Sequence, residues 1–239
     1  MKRAEEQEYV NLDLSRIHVS WNKFFYSQID KLRIIDNLIQ GDVTPKREDI
    51  FKIFSMPISQ IRFVIVGQDP YPQKGHATGR SFERDLENWE STNASLKAIL
   101  ASIYYHQKEH FLPIDSVLQE LDATNWKVSP PSELFKKWEQ EKGVFFLNKS
   151  LTTKLYVRNG HSDIWRSFVS ELITFMSNTL DVIWLLWGNE AHKLSSLIKS
   201  EHSIVKAIHP AAYSYSGGNE AEQRLKKFIA SSGLDLICN

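Results

Sequence analysis

Apolar residues in this chain gather in short unbroken runs separated by longer periodic stretches. The runs are residues 62–66 (RFVIV), 144–147 (VFFL), 182–187 (VIWLLW) and 203–208 (SIVKAI). Each is strand-length and nearly continuous rather than alternating, which predicts strands covered on both faces, as in a parallel sheet. Between them the apolar spacing changes to that of helices. Trp165, Phe168, Val169, Leu172, Ile173 and Met176 fall on one helical stripe, and Leu96, Ile99, Leu100 and Ile103 on another. Leu225, Phe228 and Ile229 form a C-terminal stripe that Gly233 should stop. Thr44-Pro45 and Pro131-Ser132 have the composition of helix starts. No such stripe stands out between residues 106 and 128, so that stretch is predicted to be an irregular surface insertion. Strand–helix alternation gives an α/β fold, a central four-stranded parallel sheet flanked by helices on both faces. With no repeat and no linker, residues 1–239 are expected to form one domain.

Composition sharpens this picture in three places. The chain of 239 residues carries 29 Lys+Arg against 29 Asp+Glu. A general polyanion binder usually shows a basic excess, so any contact with nucleic acid must be local and its salt dependence modest. Lys136-Lys137 and Lys226-Lys227 then read as solvated helix faces. The one cysteine, Cys238, allows neither an internal disulfide nor a cysteine metal site. The charged opening MKRAEEQEYVNLDL lacks an apolar leader core, and no window is apolar enough to span a bilayer. An intracellular protein with no membrane contact is expected.

Chemistry collects where the strands end. The first run is followed by Gln68-Asp69-Pro70-Tyr71, the second by Asn148, the third by Gly188-Asn189 and the fourth by His209-Pro210. Ligands of open parallel sheets sit beyond the carboxyl ends of the strands, so these groups should share a crevice. Asp69 and His209 have no serine or cysteine in a nucleophile-elbow context beside them, which leaves water activation or electrostatic stabilisation of a charged transition state. Asn148 presents donors and an acceptor in one plane, suited to the edge of a heterocycle. Tyr71 and Phe82 supply a wall and a stacking face. A slot for a flat, hydrogen-bonding ring results. A competing pattern, His106-Gln-Lys-Glu109-His110, fits the H-x-x-E-H signature of zinc peptidases if both histidines share a helix face. It has no evident third ligand, and no metal site is expected.

Gly67-Gln68-Asp69-Pro70-Tyr71, with Gly79 and Phe82 at matching spacing, resembles the water-activating loop of the family 1 uracil-DNA glycosylases. Gly143 to Asn148 with Leu151-Thr152, then Leu185-Leu186-Trp187-Gly188, then His209-Pro210 resemble that family's remaining motifs in the same order. The resemblance covers most of the chain. It implies a monomeric, cofactor-free enzyme that flips deoxyuridine out of single- or double-stranded DNA. By the same resemblance Asp69 and His209 are catalytic: Asp69 positions or deprotonates water, and neutral His209 donates to the departing uracil anion. Phe82 stacks on uracil, Asn148 reads its edge, Tyr71 excludes a C5-methyl group, and the backbone of Gln68 helps hold the base. Pro70, Ser95, Pro210, Tyr213 and Ser214 fall at DNA-contact positions, Ser95 as a phosphate ligand that also has the place of a helix cap. The alternative is a catalytically silent relative serving as a DNA-binding or replication scaffold.

The chain departs from the family pattern at three points. The loop usually closes in Tyr-His, and here reads Tyr71-Pro72. The usual His-Pro-Ser-Pro-Leu-Ser reads His209-Pro210-Ala211-Ala212-Tyr213-Ser214, which removes a phosphate-binding hydroxyl and replaces the wedge leucine with Tyr213. The loop after Ser214 is short, and the segment between Ser95 and Asn148 is long. A tyrosine at the wedge is expected to stack rather than push, and the DNA-mimicking phage inhibitor of this family is expected to bind with weakened affinity.

Overall fold

The protein is described by a computed structural model covering residues 12–123 and 126–238. Helices α1 (Asn22–Ser27) and α2 (Ile29–Leu38) precede strands β1 (Val43–Thr44) and β2 (Phe63–Gly67). Helices α3 (Ala94–Lys108), α4 (Ile114–Ala123) and α5 (Pro131–Lys142) lead to β3 (Val144–Asn148). After β4 (Thr153–Lys154) come α6 (Ser162–Thr179), β5 (Ile183–Trp187), α7 (Asn189–His192) and β6 (Ile204–Ala207). Helices α8 (Gly218–Ser231) and α9 (Asp235–Cys238) complete the order.

The four apolar runs form one sheet in the order β3-β2-β5-β6, and every pairing in it is parallel. Successive residues of a strand point to opposite faces, and both faces are buried. Val64, Val66, Phe145, Leu147, Trp184 and Leu186 pack with α1, α2 and α6 through Phe24, Leu32, Trp165, Phe168 and Leu172. On the other face Ile65, Phe146, Leu185 and Trp187 meet α3, α5 and α8 through Leu96, Ile99, Phe135 and Phe228. Continuous apolar strands follow from this two-sided burial, and the α/β sandwich expected from the sequence is the one observed.

The connections position the site. From β2 the chain leaves through α3, which packs on one face. From β5, the neighbour of β2, it leaves through α7, whose Ala191 packs on the other. Two adjacent strands that send their chains to opposite faces open a crevice at their carboxyl ends.

Two sequence expectations need correction. The stretch from residue 106 to 128 is not an irregular insertion. Helix α3 continues to Lys108, and α4 places Ile114, Val117, Leu118 and Leu121 on one apolar side, with Val117 and Trp126 buried in the core. Thr44-Pro45 does not start an α-helix but closes β1, which pairs antiparallel with β4. Pro131 does stand at the first turn of α5, as expected. Among the described residues no helix is long and apolar enough to cross a membrane.

Candidate active site

A cavity of about 740 Å³ opens at the carboxyl ends of the strands. Gln68, Asp69, Pro70, Tyr71, Phe82, Ser95, Asn148, His209 and Ser214 all line it, with Gly188 and Asn189 from the end of β5, so residues from all four strand ends converge. Pro210 is buried, and Tyr213, partly buried, packs against the core.

Gly67 makes the convergence possible. It is the last residue of β2 and lies opposite Asn148, the last of β3. A Cβ on Gly67 would sit 2.5 Å from Asn148 Oδ1 and 2.7 Å from Ser81 Cβ. Only a residue without a side chain lets the carboxamide enter the site. The ladder then continues past the strand ends, Lys149 N–H donating to Gly67 O (3.1 Å) and Ser150 N–H to Gln68 O (3.1 Å). Asn148 is 4% exposed, and among the described residues no hydrogen bond occupies its carboxamide. A buried amide with open valences is poised for a ligand that supplies partners.

Asp69 is held from the opposite loop. Asn159 N–H donates to Asp69 Oδ2 (2.8 Å), while Asn159 Oδ1 accepts from Gln68 Nε2 (2.8 Å). Asn159 reaches both by adopting φ 56°, a left-handed conformation that asparagine tolerates better than most residues. Burial raises the Asp69 carboxyl above its ordinary value, against the opposing Asn159 N–H and the Arg158 charge. A carboxyl shifted upward is a better general base near neutral pH than an ordinary aspartate.

Tyr71 and Phe82 brace each other. Tyr71 Oη donates to the Phe82 carbonyl (3.1 Å), and burial pushes the phenol up to about 12, so it stays neutral. Phe82 sits at φ 63°, strained for a bulky residue, with its ring 5.2 Å from Trp187 and 5.9 Å from His209. Such a conformation costs on the order of 1–3 kcal/mol and persists where surrounding contacts enforce it. Here it turns an aromatic face into the cavity. Pro72, the departure from the family loop, accepts Tyr156 N–H at its carbonyl (2.8 Å), tying this loop to the chain after β4.

His209 follows β6 at a point where Gly188 has φ 92° and a Cβ there would lie 3.0 Å from His209 Cβ. The Ala211 N–H donates to His209 Nδ1 (3.1 Å), so Nδ1 is the unprotonated nitrogen and Nε2 carries the hydrogen. Burial lowers the pKa below the usual histidine value and keeps the ring neutral. A neutral imidazole with a fixed N–H donor stabilises a developing anion without offering a full proton.

Ser95 lines the cavity but is not the helix cap. Asn93 takes that role, its Oδ1 accepting from Leu96 N–H (3.0 Å), which leaves the Ser95 hydroxyl free to face the cavity. The histidines of the H-x-x-E-H pattern do not share a helix face. Helix α3 ends at Lys108, and Glu109 at φ 52° turns the chain away. Asn159 and Asn93 are the residues the sequence reading missed. Asn159-Gly160 carried a visible turn signal, but nothing in sequence ties a turn to a carboxylate 90 positions earlier.

Residues 55–231 match the model of the Uracil DNA glycosylase superfamily. A uracil-DNA glycosylase of Borrelia turicatae is 30% identical, covering 88% of this chain and 93% of its own. The crystal structure of a mimivirus UNG point variant in complex with UGI superposes with a TM-score of 0.64 at 27% identity, over 87% of this chain and 76% of that one. The UNG structure from Nitratifractor salsuginis, 20% identical, shares the fold with a TM-score of 0.72 over 98% and 97% of the two chains. The strand-end constellation, the family match across most of the chain and the 30% identical relative agree: this chain belongs to the uracil-DNA glycosylase superfamily.

Proposed function

We propose that this chain is an active DNA repair glycosylase that hydrolyses the N-glycosidic bond of deoxyuridine, releasing uracil and leaving an abasic site. The observation that carries the reading is one cavity joining an upshifted carboxyl, an open carboxamide, an aromatic face and a neutral imidazole N–H. The names of its relatives support the same activity.

The flipped base enters with its face on Phe82 and its hydrogen-bonding edge on Asn148. Cytosine presents an amino donor where uracil presents a carbonyl, and a fixed carboxamide favours one of them. Tyr71, locked to the Phe82 carbonyl, closes the wall where a thymine methyl would project. As the C–N bond breaks, its electron pair stays on uracil and the sugar becomes an oxocarbenium ion. His209 Nε2–H donates to the uracil O2 anion. Asp69 carboxylate stabilises the sugar cation and takes the proton of the water that adds to C1′. The test is incubation with oligonucleotides holding uracil, thymine or cytosine at one position, followed by alkaline cleavage. Cleavage at uracil alone supports the reading, and no cleavage favours the silent scaffold.

Tyr213 is half-buried against the core, and burial with the nearby Asp115 charge pushes its phenol up to about 12. Tyr215, two residues on, is 75% exposed and lines the cavity. We assign DNA stacking to Tyr215 and packing to Tyr213. Tyr215→Ala should lower activity on duplex by roughly 5–150-fold, the equivalent of about 1–3 kcal/mol of stacking, and lower it less on single strands. Tyr213→Ala should chiefly lower the melting temperature. Equal losses on duplex and single strand for Tyr215→Ala would refute the assignment.

The mimivirus relative was solved with UGI, the DNA-mimicking inhibitor. Because Pro72, Ala211 and an exposed Tyr215 reshape the rim, we propose that this chain binds that inhibitor weakly. Titration should leave activity at an equimolar dose, whereas full inhibition at nanomolar protein would refute it.

A further inference from the structure

Arg84 stands on the α3 side of the cavity and lines it. Its Nη1 donates to Ser91 O (3.1 Å) and its Nη2 lies 3.2 Å from His76 Nε2. With the guanidinium as donor, that imidazole nitrogen accepts, so the contact holds Arg84 in place without answering its charge. The Arg84 Nε is buried with no hydrogen-bond partner, and no carboxylate lies within ion-pair distance of Arg84 among the described residues. The contrast with nearby Lys149 is clear, since Lys149 pairs with Glu190 at 2.7 Å. Arg158, the other arginine at the cavity, is exposed and faces Asp69. A half-buried guanidinium that lines a cavity with no carboxylate to answer its charge is arranged for an anion.

The groups beside it agree. Helix α3 has 15 residues, and its N-terminal turn faces the cavity at Ala94 and Ser95, with unpaired amide hydrogens and the positive end of the helix dipole. Ser95 is only 9% exposed, yet its hydroxyl has no hydrogen-bond partner among the described residues. His76 lines the same side.

We propose that Arg84, supported by His76 and joined by Ser95 at the α3 N-terminus, forms a subsite for one DNA phosphodiester adjoining the flipped deoxyuridine. The proposal rests on reading the cavity as a site for uracil in DNA. Ser95 as a phosphate ligand follows from the family resemblance; Arg84 and His76 have no counterpart in the motifs quoted above. The subsite also accounts for a loss. By the family pattern Ala211 removes one phosphate-binding hydroxyl from the rim, and Arg84 supplies a local cation in a chain with 29 basic and 29 acidic residues.

The test compares the parent protein with Arg84→Ala and Arg84→Lys on a short single-stranded oligonucleotide with one deoxyuridine. Binding is read by fluorescence anisotropy on the same sequence carrying an uncleavable abasic analogue, which needs no catalysis. Each phosphate flanking the central nucleotide is replaced in turn by an uncharged methylphosphonate. For the parent, one such replacement should weaken binding about tenfold. Arg84→Ala should bind the unmodified strand about tenfold more weakly, be markedly less sensitive to that same replacement, and lose about 0.7 from the slope of log affinity against log salt. Arg84→Lys should recover part of the loss. If Arg84→Ala responds to every methylphosphonate as the parent does, with an unchanged salt slope, the subsite is refuted. If Arg84→Ala fails to fold by its melting curve, the same comparison is made on Arg84→Gln, where parent-like responses at every phosphate with an unchanged salt slope overturn the proposal. Failure of the parent to release uracil would overturn the glycosylase reading instead, and the anisotropy result would still decide the phosphate contact.

Discussion

Asp69→Asn should lower the rate of uracil release by about 10³-fold, roughly 4 kcal/mol of lost transition-state stabilisation. The substitution keeps the size of the side chain and an oxygen that can accept the Asn159 N–H now 2.8 Å from Oδ2. What it removes is the negative charge facing the sugar cation and the base that takes the water proton. The loop should therefore hold its place, and the loss should fall on the chemical step. A pH profile offers a second reading. Burial is the largest cause of the raised Asp69 pKa, so the acid limb of the parent's rate should lie above the ordinary carboxylate range and vanish in the variant. Stability should move the other way. A folded-state pKa above the unfolded value means the native state binds more protons, so stability falls as pH rises from the unfolded toward the folded pKa. Above that window the ionised Asp69 is a cost to folding. Asp69→Asn should melt no lower than the parent at neutral pH, and lower activity with lower melting would point to simple misfolding.

Asn148→Asp should reduce uracil release by at least about 10²-fold and bring a detectable release of cytosine. Asn148 is 4% exposed at the end of β3, where its side-chain oxygen lies over the Cα of Gly67. A carboxylate there can only accept, so it repels the uracil edge that needs a donor and welcomes the cytosine amino group. Buried polar mismatches discriminate strongly because the group left unpaired loses its full hydration. The same burial makes the variant less stable, by about 1–3 kcal/mol, or a melting point lower by roughly 2–10 °C. Tyr71 is untouched, so thymine should remain excluded. Measuring base release from the three oligonucleotides checks all of this, and unchanged preference for uracil would remove Asn148 from the specificity role.

Much of this was legible in the residues because the fold and the site are both local at the strand level. Runs such as VFFL and VIWLLW are unbroken because α-helices cover both faces, and the same parallel topology delivers Asp69, Asn148 and His209 to one edge. The stretch 106–128 was misread although its signal was present. Ile114, Val117, Leu118 and Leu121 carry helical spacing, but over so short a span that loop and helix patterns overlap. Two kinds of feature were not legible. One is long-range: Asn159 finds Asp69, and Arg84 lacks a carboxylate, only once the loops are folded together. The other is exposure within a short turn. Tyr213 and Tyr215 are two residues apart in an irregular 3₁₀ segment, and no period in the sequence says which ring faces solvent.

Uracil release from DNA by the cavity of Asp69, Asn148 and His209 is the activity proposed for this chain. The most direct measurement is chromatographic detection of free uracil, alongside the abasic strand, after incubating the purified protein with a single-stranded oligonucleotide holding one deoxyuridine. Stoichiometric uracil from the parent, with about 10³-fold slower release by Asp69→Asn, is the predicted result. No free uracil from a folded parent that still binds the strand would refute the glycosylase activity.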